Sequence, residues 1–257
     1  MDEKIGLWIY CVVENKGDLT SDAMGIHGTS PVYTVAHGDF AMVVSEEPMK
    51  KYPLVRDFLI AHQRVNEKMM QRGPILPVKF CTMAEDADQI VTQVLSQKER
   101  IVEFQKTLAE IRGKNEYGLR GRWKNLDQIF SNLEFENEKV KTTKGKILKM
   151  PERERHSALI DMGHLVKEAL EEKNAATQAT LIEELIPHSY KNKKNSVYGD
   201  MNILNAAFLV DENKQGLFDE AVNRLVSRYE SDIQFKYVGP IPPFNFVEIV
   251  ILWNGGA

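Results

Sequence analysis

The sequence predicts an α+β protein of two domains. Three observations carry that expectation. Ile5 to Val13 (IGLWIYCVV) is apolar on both alternating faces, as a central buried strand is, and two further strand-like runs follow it. Val55 to Met70 places Phe58, His62, Val65 and Met69 on one face at helical spacing. The last third of the chain reads strand, helix, strand, strand.

In chain order, residues 17–30 are rich in Gly, Ser, Thr and Asp and read as a loop. Pro31 to His37 and Phe40 to Ser45 form a hairpin around Gly38-Asp39. Gly73-Pro74 ends the first helix, and Ile75 to Phe80 (ILPVKF) is a strand whose Pro77 points to an edge or a bulge. One long helix is expected from about Glu85 to Ile111, with Ile90, Val94, Ile101 and Leu108 as its apolar stripe. Lys98 and Gln105 interrupt that stripe, so that one side either packs loosely or carries a partner.

Glu116 to Trp123 (EYGLRGRW) opens the second half as a strand. Glu134 to Met150, dense in Lys and Glu, reads as a solvated connection. Pro151 suits the first turn of a helix that runs to Ile186 with Leu159, Met162, Val166 and Ala169 inward, and Lys191 to Asn195 (KNKKN) is a polar loop. Ile203 to Val210 is a strand, Gln215 to Tyr229 an amphipathic helix, and Ile233, Phe235 and Tyr237 alternate with Gln234 and Lys236 as a half-buried strand does. After a proline turn, Phe246 to Trp253 closes a hairpin. The division expected is residues 1–112 and 113–257, with the charged connection near 134–150. The order of elements in the second part approaches a ferredoxin-like split βαβ arrangement.

Composition removes several classes of function. The 257 residues are 43% hydrophobic and 27% charged, with a formal net charge of −4, an ordinary balance that gives no broad attraction to nucleic acid or anionic membrane. No apolar run reaches the roughly 20 residues of a membrane helix. With no secretory leader at the start, the expectation is an intracellular, soluble, cytoplasmic protein. Cys11 and Cys81 lie far apart in apolar runs, outside any CxxC unit, and read as buried reduced thiols.

Motifs for chemistry are missing as well. The chain has no phosphate-binding glycine loop, no HExxH and no GxSxG. Among the six histidines, His156 and His164 stand two helical turns apart, too far for one metal ion. His62 lies on an apolar helix face and reads as a core histidine held by hydrogen bonds; a ligand-binding or catalytic site beside it is the alternative. Glu116 and Asp127 have no fixed geometry as a carboxylate pair, and Lys191, Lys193 and Lys194 lack the interleaved aromatics of an RNA-binding sheet. No metal, cofactor or nucleic acid is expected.

The most distinctive stretch is Gly239 to Phe246 (GPIPPFNF). Pro240, Pro242 and Pro243 fix φ and remove three backbone donors, and Phe244 and Phe246 set aromatic area beside the stiff turn. Such a turn works as a rigid connection and as a preorganised apolar docking surface.

This stretch resembles the Gly-Pro-Trp-Pro-Pro-Tyr-Ser-Phe signature of the gas vesicle protein family GvpF/GvpL, with Ile241 for Trp, Phe244 for Tyr and Asn245 for Ser. The likeness continues in order along the chain. Trp8-Ile9-Tyr10 resembles the family's aromatic first strand. His62 and Ile75 to Thr82 (ILPVKFCT) resemble its histidine-bearing helix and Leu-Pro-Val-Arg-Phe-Gly-Thr segment, with Lys79 for Arg and Cys81 for Gly. Glu116-Tyr117-Gly118 and Leu204 to Asp211 (LNAAFLVD) resemble its mid-chain and late strands.

The resemblance implies two α+β domains, the second a modified ferredoxin-like fold. It also implies an accessory or minor structural protein of gas vesicles, not an enzyme, whose partners are the small shell protein GvpA and other Gvp proteins. The contact residues expected are Pro240, Pro242, Pro243, Phe244, Phe246, Lys98 and Gln105.

Overall fold

The computed structural model describes residues 3–17 and 22–254, so residues 18–21 of the loop expected over 17–30 lie outside the described chain. By its contacts the chain divides into two compact units. One is Met1–Glu116 together with Pro240–Ala257, and the other is Tyr117–Gly239.

The first unit is organised by Ile5–Glu14 (β1), which is buried from Gly6 through Val13. Its apolar side chains on both faces suit the middle of a sheet. Phe40–Pro48 (β3) pairs with it antiparallel on one side, and Ile75–Pro77 (β4) and Met83–Ala84 (β5) pair with it on the other. Val32–His37 (β2) is the far edge, giving the order β2–β3–β1–β4. His37 faces Phe40 across the expected hairpin, with Gly38 at φ +58° making the turn. Arg56–Met70 (α1) turns His62, Val65, Asn66 and Met69 inward. Trp8, Tyr10, Val43, Val65 and Ile75 belong to the core beneath it.

The long helix expected over 85–111 is broken. Ala87–Ile90 (α2), capped by the Asp86 side chain accepting from the Gln89 amide at 2.8 Å, runs into a π-helical turn, Val91–Leu95. A new helix, Lys98–Ile111 (α3), follows. The break resets the phase, so α3 buries Phe104, Leu108 and Ile111. Lys98 and Gln105 lie on its exposed side and interrupt no buried stripe.

From Tyr117 to Gly239 the second unit takes in most of Lys114–Trp123 (β6), then Leu126–Glu136 (α4), Glu138–Ile147 (α5), Glu152–Glu183 (α6), Lys191–Lys194 (β7), Asn202–Asp211 (β8), Gln215–Tyr229 (α7) and most of Ile233–Ile241 (β9). Its sheet has the order β7–β8–β6–β9. Tyr117, Leu119, Phe208, Phe218, Leu225 and Ile233 belong to its core.

Three expectations are corrected here. The charged stretch 134–150 is helical. Asn125 and Asn137 cap α4 and α5 by accepting backbone N–H groups. Leu133, Val140 and Ile147 fall at helical spacing and are buried, while Phe135 and Leu148 stay exposed. The apparent loop KNKK is strand β7, paired antiparallel with β8 from Lys191 opposite Leu209 to Lys194 opposite Ala206. It is an exposed edge strand, and lysines on an edge discourage further pairing, so no apolar alternation announced it.

The third correction concerns Phe246 to Trp253, which forms no hairpin. It alternates as a strand does, with Val247, Ile249 and Ile251 buried. The prolines detach it from β9, and its ladder shrinks to one parallel bridge between Ile249 and Val78. The Ile249 amide donates to the Pro77 carbonyl at 2.9 Å, and the Lys79 amide donates to the Ile249 carbonyl at 3.0 Å. Residues 240–254 therefore pack with the first unit, whereas the division at 112/113 placed them with the second.

Cys11 is buried, and burial pushes its thiol well above the ordinary range. Cys81 is only half-buried and, among the described residues, is the one non-glycine residue with positive φ, at 66°. It stands where the resembled segment has Gly. Left-handed backbone costs an L-residue roughly 1–2 kcal/mol that Gly avoids. Cys81→Gly is therefore expected to raise stability by about 1 kcal/mol, read as a higher urea midpoint with unchanged m-value.

Candidate functional site

Within the first unit, α1, the segment after β4 and the proline turn surround an open pocket of about 350 Å³. Leu59, Pro77, Phe80, Phe244 and Val247 give it apolar walls; Gln63, Lys79 and Glu248 stand among them, and His62 also contributes to the lining. Leu59 is exposed because α1 turns that flank away from the sheet.

His62 is held rather than poised. Its Nδ1 accepts a hydrogen bond from Trp8 Nε1 at 3.1 Å. The ring also donates to the Val78 backbone, but burial outweighs that bond and pushes its pKa down to about 4. Tyr10 and Phe80 pack around the ring, with centroids at 5.3 and 5.6 Å. With both nitrogens engaged and the imidazole neutral at pH 7, the group is poorly placed to move a substrate proton. What it does is orient Trp8 and fix α1 against the sheet. Among the described residues, no group of three or more His, Cys, Asp or Glu could hold a metal ion.

A second polar cluster satisfies buried groups elsewhere in this unit. Glu47, 1% exposed, accepts from Ser45 at 3.1 Å and bonds His27 Nδ1 at 2.6 Å; the Tyr10 hydroxyl lies 2.9 Å from Ser45 Oγ. A Cβ on Gly25 would sit 2.4 Å from Glu47 Oε1, so glycine lets the backbone close over the carboxylate.

The proline turn is fixed from below. Glu116, fully buried, accepts the Asn245 backbone N–H at 2.8 Å on Oε2 and the Asn245 side-chain amide at 2.5 Å on Oε1. The Phe244 and Val247 amides close back on the Pro242 and Pro243 carbonyls at 2.7 and 2.8 Å. Glu116 is thus a structural clamp, a partnership that reading Glu116 and Asp127 as a carboxylate pair without fixed geometry did not find.

The residues expected to make contacts fare differently. Pro242 and Pro243 are buried and serve as the turn's support. Pro240 is exposed, and Phe244 and Phe246 are half-buried, with Phe244 on the pocket wall. Lys98 and Gln105 line no part of this pocket. Leu59, Val247 and Glu248 do, and were not singled out; an apolar residue on the flank of an amphipathic helix was the available signal for Leu59.

Comparison with known proteins gives a consistent result. The family model "Gas vesicle synthesis protein GvpL/GvpF" matches residues 6–248. Gas vesicle protein F of Dolichospermum flosaquae is 24% identical over 95% of this chain and 98% of its own length. Gas vesicle protein F1 of Halobacterium salinarum is 24% identical over 95% and 94%. The crystal structure of GvpF from Anabaena sp. PCC7120 superposes with a TM-score of 0.79 at 20% identity, covering 95% of this chain and 98% of that one, a likeness of α+β fold. Among the described residues no helix is long and apolar enough to cross a membrane. The family match runs along nearly the whole sequence, and the chain belongs to the gas vesicle synthesis protein GvpL/GvpF family.

Proposed function

We propose that the protein is an adaptor in gas vesicle assembly, working in the cytoplasm and at the vesicle. It binds the small shell protein GvpA and other Gvp proteins and catalyses no reaction. The single observation that carries this reading is the apolar pocket beside the proline turn, about 350 Å³ with Leu59, Phe80 and Phe244 on its walls. Such a surface suits an apolar segment of a partner, and Phe244, held by the Glu116 clamp on its neighbour Asn245, is a preorganised anchor that loses little entropy on binding.

Residues 246–253 are poorly suited to backbone pairing with a partner strand, because Ile249 already uses its backbone groups on Pro77 and Lys79. The contact residues proposed are accordingly Phe244, Phe246 and Pro240, with Leu59 added. Pro242 and Pro243 act through the shape of the turn, and Lys98 and Gln105 remain candidates on a separate exposed face.

The two compact units support reading the chain as two domains. In the second, the strand order β7–β8–β6–β9 with helices after β6 and β8 supports a modified ferredoxin-like fold.

Capture of co-expressed GvpA tests the function. Leu59→Glu and Phe244→Ala are each expected to lower the captured GvpA about tenfold or more, the loss typical of a truncated aromatic anchor. Circular dichroism should match the parent. Undiminished capture by folded variants removes the pocket from the account.

A further inference from the structure

The sheet of the second unit carries an open pocket of about 260 Å³ that the proposed shell-protein contact does not use. Arg120 and Arg122 of β6 and Gln234 and Lys236 of β9 line it, together with Asn202 of β8.

Strand alternation decides which face these side chains share. Gly121 faces the core, since a Cβ there would meet Leu204, Ile233 and Phe235 at 3.2, 3.3 and 3.4 Å. Arg120 and Arg122, one residue to either side, are exposed on the opposite face. Gly118 shares that face, and a Cβ on it would lie 3.1 Å from Val238 Cγ2, so Val238, Lys236 and Gln234 stand there too. The Lys124 amide donates to the Asp232 carbonyl at 2.8 Å. This contact and that of Gly118 with Val238 run antiparallel, and they bring Arg120 beside Lys236 and Arg122 beside Gln234.

Three cations therefore share one exposed patch, in a chain whose formal net charge is −4. No carboxylate lines the pocket. Among the described residues none of the three forms an ion pair, and the Arg122 guanidinium meets Met201 Sδ, a weak acceptor, at 3.7 Å. Like charges facing each other across two strands destabilise a sheet. No described carboxylate offsets the repulsion between Arg120 and Lys236; a bound anion would.

The donors specify the anion. Arg120 and Arg122 are two residues apart on a strand, so their stems leave it roughly 7 Å apart. A guanidinium forks onto two oxygens of a phosphate, and Lys236 adds a compact charge beside the pair. One carboxylate would answer one arginine, whereas linked phosphates answer the set. The volume lies below the roughly 300–1,000 Å³ of pockets for drug-sized ligands. The Phe235 ring turns to the core, so it offers no face on which a base could stack. We propose that this pocket binds a compact anion of two or three linked phosphates, with Arg120 and Arg122 forking onto its oxygens and Lys236 beside them.

Calorimetric titration of the full chain with pyrophosphate at constant ionic strength tests this, with ADP and a capped tetraglutamate peptide as separate arms. Pyrophosphate is expected to bind saturably, one per chain, and to raise the urea midpoint. Binding of ADP as well would make the phosphate chain of a nucleotide the source; binding of pyrophosphate alone would make it the free anion. Arg120→Gln and Arg122→Gln are each expected to weaken pyrophosphate tenfold or more. Lys106→Gln, which removes an exposed charge on α3, is expected to leave the affinity unchanged. The proposal is overturned if pyrophosphate gives neither saturable heat nor a higher urea midpoint, or if either arginine variant binds it as the parent does. It is overturned equally by a matching loss in Lys106→Gln, which would mean general attraction, or by tighter binding of the tetraglutamate peptide, which would make the face a protein contact.

Discussion

Gly239→Ala is expected to destabilise the protein by about 4 kcal/mol, the largest effect of any single methyl group considered. Gly239 has φ +149°, a conformation L-residues rarely adopt. A Cβ there would come 2.3 Å from Tyr117 Cδ1 and 3.0 Å from Cε1. Tyr117 has little room to move: it is 1% exposed, its ring stacks on Tyr237 at 5.8 Å, and it meets Phe218 at 5.6 Å. Overpacking of a filled core costs roughly 1–3 kcal/mol, and a strained backbone adds a similar amount.

A double-mutant cycle separates the two contributions. On a Tyr117→Ala background the clash is gone, so Gly239→Ala should cost only the backbone part, about 1–2 kcal/mol. A urea midpoint for Gly239→Ala that implies less than about 1 kcal/mol of loss would contradict the packing described.

This pair of residues gives the family motifs a physical meaning. Glu116-Tyr117-Gly118 and the late proline stretch are distant in sequence yet are joined twice, by Glu116 holding Asn245 and by Tyr117 lying against Gly239. Each motif, read alone, lacked the partner that explains it.

Much of the fold was legible because one-dimensional periodicity reports burial. β1, the hairpin at Gly38, α1, β8 and α7 all have long, regular apolar patterns and fell where the pattern put them. What failed was what depends on neighbours. The break at Val91–Leu95 leaves no Gly or Pro in the sequence and shows only as a phase shift of the buried residues. β7 is exposed on every residue, so its strand character comes from β8 rather than from its own side chains. The charged stretch 134–150 became helix through two asparagine caps and three buried residues, a signal diluted by the lysines around them.

The candidate site was half-legible for the same reason. Phe244 stood out by its prolines, whereas Leu59 and Val247 gain meaning only from the pocket they share with it.

His62 links the fold to pH, with a direction its environment dictates. In the folded chain its pKa lies at about 4, below the ordinary 6.5, because burial disfavours the imidazolium. The same neutral ring supplies the acceptor for Trp8 Nε1 at 3.1 Å. Between pH 6.5 and 4 the unfolded chain therefore binds a proton that the folded chain does not. Stability from this residue is fully present above about pH 6.5, falls as the pH drops, and levels off below about 4. The gap corresponds to roughly 3 kcal/mol.

Other groups titrate in the same window, so the informative quantity is a difference between two proteins. His62→Gln keeps an acceptor within reach of Trp8 and removes the titration. Its urea stability is expected to lie below that of the parent at pH 7.5 and to lose about 3 kcal/mol less between pH 7 and pH 4. Parallel stability curves for the two proteins across that range would mean that His62 charges as readily in the fold as in water. The buried, Trp8-bound imidazole at the floor of the pocket would then be the wrong description.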